Sequence, residues 1–319
     1  MDRTPLDLDA EPAGLYDSVL EQLSKMPNAL SNLEYIGTPR NPPDIFRGHD
    51  WSKNVVFTES TAKDAPSFRA AIIGEIAEPR YGTLVRAQGN HYDGRDGEPF
   101  KPVDDKSKVK DVLVLRAPTH CAMDMKNSYD NQTALLQDIE NTENSFYTAD
   151  GVDPNFKSCL RSARTDLDSK DLITLTTQKK YAVPAAAGAP KVVSTPKRVQ
   201  RTKRKHGSED DDISEEHVAA TPPADDDAEG QVKIPADDDV QLGVFYDPRV
   251  LEDYGGLMFQ HVNAKLLQLD IRDADNKLIP PWKQYAALRP GTLVLALVTI
   301  HIFTFKDNGS RGSGHWIVF

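Results

Sequence analysis

The feature that most constrains this fold is an abrupt reversal of charge beyond the middle of the chain. Lys197–Lys205 holds six cations in nine residues, and Glu209–Asp212 follows it almost at once. Between Lys197 and Asp239 the chain carries seven cations and thirteen carboxylates with few apolar side chains. Such a segment repels itself and cannot bury enough apolar surface to fold. We therefore predict a disordered linker over residues 182–240.

The linker divides the chain into parts of domain size. A chain of 319 residues is long enough for about two domains. We predict an N-terminal helical arm and loop over residues 1–50, a β-rich domain over 51–181 and a β-rich C-terminal domain over 241–319. The predicted fold class is α+β and mostly β, with two β-rich parts joined by the disordered linker.

Apolar spacing predicts the individual elements. Leu15, Val19, Leu23 and Met26 recur at helical spacing and predict an amphipathic helix that docks on the rest of the protein. Residues 131–139 predict one short helix. Short apolar runs between turn residues predict strands, at residues 54–58, 70–76, 81–86, 109–115, 172–176, 265–272, 293–305 and 315–319.

The last predicted strand ends the sequence on an apolar edge. An unpaired edge strand invites aggregation, so we expect either a truncated C-terminus or an end that is buried. The longest apolar run, residues 293–305, contains two threonines and a histidine. It is shorter than the ~20 residues that a membrane helix needs. The run therefore predicts a buried strand, and we expect no membrane partner.

Charge and cysteine content narrow the possible functions. The formal net charge is −11, whereas residues 240–319 carry eight cations and seven carboxylates. Since no folded part is strongly basic, tight non-specific binding to duplex nucleic acid is disfavoured. Weak or single-strand binding stays open. Cys121 and Cys159 are too few for a disulfide framework or a zinc site built from cysteines.

The basic run is typical of a nuclear import signal. An import receptor reads such dense cations through paired charges and stacked side-chain stems. The residues that would form the signal are Lys197, Arg198, Arg201, Lys203, Arg204 and Lys205. The alternatives are a nucleic-acid tether and a merely solvated charge run. The run favours a nuclear location, and without import the protein would be cytoplasmic.

Two hydroxyl groups beside the basic run are candidates for regulation by phosphorylation. Thr195 precedes a proline, as in sites of proline-directed kinases, and Ser208 precedes a run of carboxylates, as in sites of acidophilic kinases. A phosphate beside six cations would partly neutralise them. We expect phosphorylation of Thr195 to weaken import.

Few residues point to an enzyme. His91 and Asp93 form a His-x-Asp pair, which together with a further histidine is the ligand set of non-haem iron oxygenases. The ordinary interpretation is a polar loop histidine without a metal. His120 and Cys121 are adjacent on an extended segment, so their side chains point to opposite sides rather than forming a nucleophile–base pair. We expect no cofactor.

The order of strands and turns in residues 241–319 is typical of a small open barrel such as the OB-fold. Such barrels bind oligonucleotides with aromatic rings and a few cations on one face. The candidates for binding a single-stranded nucleic acid are Arg272, Trp282, Lys283, Tyr285 and Arg289. The alternative is that Trp282 and Tyr285 fill the bottom of the barrel.

Three segments of the C-terminal part carry a resemblance to other proteins. Tyr246–Arg249, Leu278–Lys283 and Leu288–Val294 resemble predicted proteins that occur in many copies in mushroom-forming basidiomycete fungi. The resemblance implies a fungal source, a final strand that continues further and an association with mobile elements. That family has no established activity, so no biochemical function follows from it.

Together these features favour a non-enzymatic nuclear binding or scaffold protein. Its expected partners are a nuclear import receptor and a single-stranded nucleic acid bound by the C-terminal domain. One alternative is an iron-dependent oxygenase that uses His91 and Asp93. The other is a truncated protein, associated with mobile elements, that has no activity.

Overall fold

The structure is mostly β with some helix, which confirms the predicted fold class at this level. The computed structural model describes residues 14–32, 46–49, 55–62, 64–94, 99–149, 158–163, 170–184, 240–307 and 310–318. The helices there are α1 (Leu15–Ser24), α2 (Met123–Ala149) and α3 (Gln284–Ala287). The strands are β1 (Phe46–His49), β2 (Val55–Thr58), β3 (Arg69–Ile76), β4 (Val112–Arg116), β5 (Leu160–Arg161), β6 (Leu172–Thr176), β7 (Tyr181–Ala182), β8 (Phe245–Tyr246), β9 (Lys265–Leu267), β10 (Leu293–Asp307) and β11 (Ser310–Val318).

Eight strands form a large sheet that curls on itself. Neighbouring strands follow the order β1-β2-β10-β11-β6-β4-β3, and β5 pairs with β6. Because β10 also pairs with β3, the strands β3, β4, β6, β11 and β10 make a closed circuit of paired neighbours. Among the described pairs of this circuit, only β6 and β11 run parallel. A small sheet has the order β7-β9-β8.

The long strand β10 holds the large sheet together. It has 15 residues, and it pairs with β3 over its first half and with both β2 and β11 over its second half. Alternate side chains point into the main core, as expected for a strand with one buried face. These core residues are Val294, Ala296, Val298, Ile300 and Ile302. The apolar run therefore forms a buried strand, as the sequence predicts.

Both sheets combine strands from the two predicted β-rich parts. In the large sheet Leu293 pairs with Glu75, and in the small sheet Tyr181 pairs with Leu266. The described strands of residues 241–319 therefore do not form a barrel of their own, and the OB-like barrel predicted for that part alone is not confirmed. The physical reason is that the apolar inner face of β10 is covered only when β3, β4 and β6 complete the circuit.

The N-terminal helix packs as its apolar spacing predicts. Val19, Leu23 and Met26 contact a core cluster on the outer face of the large sheet, where Ala71 and Ile73 lie on β3. Leu23, Ala71 and Ile73 are almost fully buried. The helix α1 thus covers the outer side of β3 while the inner side faces the main core.

Several local predictions need correction. The helix predicted over residues 131–139 is the middle of α2, which spans 27 residues and also buries Met125 and Tyr129 near its start. The strand predicted over residues 81–86 is wrong: Gly82 adopts a left-handed φ of 102° and ends a tight turn. The strand predicted over 265–272 is only β9, three residues long.

The end of the described chain is paired on both edges. β11 pairs with β10 over Thr299–Asp307 and with β6 at Ile317 and Val318. The burial of the last strand stays a prediction, because the side chains of residues 303–319 lie outside the described ones. Within the described ranges, no helix is long and apolar enough to cross a membrane.

Candidate functional site

The two aromatic rings predicted to bind nucleic acid contact the protein's own residues. Trp282 is partly buried and stands edge-on to Tyr246, with ring centroids 5.2 Å apart and an interplanar angle of 87°. Tyr285 donates its hydroxyl to Asp253 Oδ1 at 2.6 Å. Both rings belong to the core cluster of the small sheet. This geometry agrees with the alternative that Trp282 and Tyr285 serve packing.

The three cations predicted with these rings lie at the surface. Arg272 donates its Nε to Asp270 Oδ1 at 2.6 Å, whereas Lys283 and Arg289 are exposed. Arg272 forms an isolated bridge with Leu278, Lys283 ends a short 3-10 helix, and Arg289 lies between α3 and β10. The binding role of these five residues stays a prediction.

The predicted iron pair lies in a loop, as expected. His91 Nε2 lies 2.8 Å from the carbonyl oxygen of Lys101, so one ring nitrogen already has a partner. In the part of the chain that is described, no group of three or more His, Cys, Asp or Glu side chains could hold a metal ion. The geometry adds no third ligand to His91 and Asp93, and the oxygenase alternative gains no support.

The cysteines are free thiols, and each has a local acceptor. Cys121 Sγ donates to the Pro118 carbonyl at 3.2 Å, and burial together with the nearby Glu75 carboxylate raises the pKa of its thiol. Cys159 Sγ lies 3.4 Å from Glu140 Oε1, and burial raises the pKa of Cys159 well above its usual value. A thiol of raised pKa is a poor nucleophile near neutral pH.

A buried carboxylate ties α1 to the large sheet. Glu75 on β3 is only 2% exposed, yet Tyr16 donates its hydroxyl to it at 3.0 Å and the Thr119 backbone N–H donates at 3.0 Å. Arg116 Nε lies 3.6 Å from the same carboxylate. Burial and the Glu75 charge raise the pKa of the Tyr16 phenol. Each group has a structural partner, so this cluster joins elements.

A buried ion pair lies where the two predicted parts meet. Lys180 Nζ donates to Asp111 Oδ1 at 2.6 Å, with side chains 3% and 0% exposed. The same ammonium group donates to the Arg86 carbonyl at 2.9 Å. Burial raises the pKa of Asp111, and the Lys180 charge partly offsets that effect. We call Asp111, Lys180, Arg86 and Ala87, together with the side chains that bond to them, the central joint.

The C-terminal part contributes directly to the central joint. Asp253 accepts the Ala87 backbone N–H at 2.8 Å and the Tyr285 hydroxyl at 2.6 Å. Tyr181 donates its hydroxyl to the Ala87 carbonyl at 3.0 Å, and Lys180 Nζ lies 5.5 Å from the centre of the Tyr285 ring. The backbone N–H and the carbonyl of Ala87 therefore each have a side-chain hydrogen-bond partner.

A second contact between the two predicted parts is a carboxylate that accepts several backbone N–H groups. The Asp105 carboxylate accepts the backbone N–H groups of Val262, Asn263 and Ala264 at 2.9–3.2 Å. These bonds, led by the one from Ala264, lower the pKa of Asp105. Because the chain's own carboxylate occupies these donors, they hold two loops together.

Among the described residues, three lysines near the central joint make no ion pair with a carboxylate. Lys108 and Lys179 are exposed and Lys110 is partly buried; we call them the lysine cluster. Burial, followed by the charges of Lys179 and Lys108, lowers the pKa of Lys110. Sequence reasoning missed this cluster, although two lysines spaced by one residue before β4 were a visible signal that they share one face.

The nuclear signal and the phosphorylation candidates lie outside the described residues. This applies to the six cations of the basic run and to Thr195 and Ser208, so they stay predictions. Comparison of the chain with protein-family models, curated proteins and solved structures finds no match.

Proposed function

We propose that this is a non-enzymatic nuclear binding protein that takes single-stranded nucleic acid on its five-stranded circuit. The observation that carries the proposal is the pairing order of that circuit. Numbered along the chain as strands one to five, β3, β4, β6, β10 and β11 follow the cyclic order one-two-three-five-four. Strands three and five are the parallel pair.

This order is the one found in OB barrels, which commonly bind oligonucleotides. A shared topology indicates a class of ligand and does not identify the residues that contact it. This proposal replaces the barrel predicted within residues 241–319 by one that draws three strands from the earlier part of the chain.

The arrangement of polar groups also supports binding over catalysis. The buried carboxylates Glu75 and Asp111 are each engaged in holding elements together. A catalytic acid or base needs access to a substrate proton, whereas Glu75 and Asp111 are only 2% and 0% exposed.

The test is fluorescence anisotropy of the full chain with labelled single-stranded DNA and RNA of about 20 nucleotides, a length that exceeds the site of one OB barrel. We expect micromolar binding at low salt that weakens as salt rises, because phosphate contacts release counterions. The matched duplex is the control and should bind more weakly. Failure of both single strands to bind at tens of micromolar would remove the proposal.

The nuclear part of the proposal has its own test. We expect a fluorescent fusion of the full chain to concentrate in the nucleus and a variant with the six cations of the basic run changed to alanine to lose that concentration. A variant with six of the linker's acidic residues changed to alanine controls for altered charge. Equal nuclear concentration of the wild type and the cation variant would contradict an import signal in the basic run.

A further inference from the structure

The lysine cluster lies at one end of the second and third strands of the circuit. Lys110 precedes β4 by two residues and lies between Val109 and Asp111, which are both fully buried. Lys179 follows β6 by three residues. Because alternate residues of an extended segment face opposite sides, Lys110 faces outward where its two neighbours face inward.

Backbone hydrogen bonds fix the segments that carry these lysines. The Lys180 N–H donates to the Val109 carbonyl at 2.8 Å, which places Lys179 and Lys110 on adjacent segments. The Lys110 N–H donates to Asn90 Oδ1 at 3.0 Å, and the Asn90 N–H donates to the Lys110 carbonyl at 2.9 Å. These bonds fix the backbone segments that carry Lys110 and Lys179.

Lys180, which follows Lys179 in the sequence, differs from the three lysines of the cluster. Lys180 is buried and has Asp111 at 2.6 Å, so the chain supplies a carboxylate where a lysine is structural. Across the described ranges, none of Lys108, Lys110 and Lys179 makes an ion pair. Like charges held together disfavour the charged forms, and a bound polyanion would remove that repulsion.

We infer that Lys108, Lys110 and Lys179 contact successive phosphates of a single-stranded nucleic acid at this end of β4 and β6. The inference rests on the proposed function, and its site does not include Trp282 or Tyr285. In OB barrels the face of strands two and three is the one that binds oligonucleotides, and here those strands are β4 and β6.

A nearby aromatic ring suits the same ligand. Tyr92 lies two residues beyond Asn90, the partner of Lys110, and its side chain is 51% exposed. Proteins that bind single strands combine cations along the backbone with aromatic rings on which bases stack. The Tyr92 ring also has Lys101 Nζ at 5.7 Å from its centre. A few cations and one exposed ring fit a single strand better than a duplex, which would need a broad basic face.

The test compares two charge-matched triple variants of the full chain. Lys108→Gln/Lys110→Gln/Lys179→Gln removes the cluster, and Lys25→Gln/Lys126→Gln/Lys277→Gln removes three exposed lysines elsewhere. With the labelled single strands, we expect the cluster variant to bind about tenfold more weakly at low salt. The slope of log K against log salt should fall by about 2, at about 0.7 for each phosphate contact. The control should bind like the wild type.

Each other outcome has a definite meaning. If the wild type binds neither DNA nor RNA single strands, the proposed function fails and the site fails with it. If the wild type binds and the cluster variant binds equally well, the site is overturned while the function stands. Equal weakening of both variants would show that binding follows net charge, which also overturns the site.

A second measurement needs no variant. Lysine acetylation of the wild type, read by mass spectrometry with and without the single strand, reports which ammonium groups the ligand covers. We expect protection of Lys108 and Lys179 and unchanged labelling of Lys25, Lys126 and Lys277. Protection spread evenly over all five lysines, or absent from the first two while binding occurs, would contradict the inference even if the cluster variant folded poorly.

Discussion

The central joint and the lysine cluster show two uses of the lysine side chain, and Lys180 of the joint directly follows Lys179 of the cluster in the sequence. The Lys180 side chain is 3% exposed and bonded to Asp111. The charges that lower the pKa of Lys110, by contrast, are those of two other lysines, Lys179 and Lys108. A buried ammonium group must be paired to be tolerated. A partly exposed one need not be, which leaves its charge available to an external anion.

The largest loss of stability is expected when the Asp111 carboxylate is removed. We expect Asp111→Ala to lower the free energy of unfolding by about 3–5 kcal/mol, because it leaves the Lys180 ammonium group buried and unpaired. Urea unfolding of the full chain would measure the change. Asp270→Ala, which removes the exposed partner of Arg272, is the control and should change stability by less than about 1 kcal/mol.

A double variant tests whether the ion pair between Asp111 and Lys180 stabilises the joint. Asp111→Ala/Lys180→Met removes both charges, so its loss of stability should be smaller than the sum of the two single losses. Additive losses would mean that Lys180 finds other compensation when Asp111 is absent, and the joint would then not depend on the ion pair.

The next largest effect is expected at Asp253, which brings the C-terminal part into the joint. Asp253→Ala removes the acceptor of the Ala87 N–H and of the Tyr285 hydroxyl. We expect a loss of about 1–2 kcal/mol, because both bonds are charge-assisted although Asp253 itself is exposed. Its neighbour Glu252 is exposed, and Glu252→Ala should stay within about 0.5 kcal/mol of the wild type.

Acid should weaken the second contact between the parts through Asp105. Its folded pKa is lowered by the backbone N–H groups of residues 262–264, so it stabilises the fold above its unfolded pKa of about 4. That stability is lost as the pH falls through the lowered folded value. Between about pH 6 and about pH 3, the urea midpoint of the wild type should therefore fall by more than that of Asp105→Asn.

The control for the acid effect is an exposed carboxylate on a helix. Asp130 on α2 is exposed, and Asp130→Asn should keep the wild-type dependence on pH. If Asp105→Asn also kept it, the bonds to residues 262–264 would not contribute to stability in solution.

The smallest effect on stability is expected at Lys110. Burial and two like charges lower its pKa, so the charged form opposes folding slightly. Lys110→Met keeps the side-chain stem and should leave the urea midpoint equal to or above that of the wild type, within about 0.5 kcal/mol. A clear loss of stability would mean that the ammonium group has a structural partner, and the contrast with Lys180 would disappear.

The sequence predicted the strands best where an apolar run had clear turn residues on both sides. β6 matches its predicted range, and β10 runs two residues beyond its own. Pairing partners could not be predicted, because alternation tells which side of a strand is buried and not which strand covers it. The long α2 was underestimated since much of it is polar and exposed.

The candidate site was harder to predict for a related reason. Lys179 and Lys180 look alike in the sequence, and only the position of Asp111 in the fold separates a buried partner from an exposed charge. Trp282 and Tyr285 attracted attention as aromatic residues near cations, yet their rings face Tyr246 and Asp253. Aromatic residues signal burial at least as often as binding, and local sequence does not distinguish the two.

The closed circuit also constrains how this protein reaches its native state. Leu293 pairs with Glu75 and Ile317 pairs with Leu175, so the circuit joins strands that are far apart in the chain. Contacts of such long sequence separation slow folding, because a large loop must close before they form. During synthesis β3, β4 and β6 leave the ribosome well before β10 exists, and their apolar inner faces must wait uncovered. The protein should therefore depend on chaperones until its last strands are made.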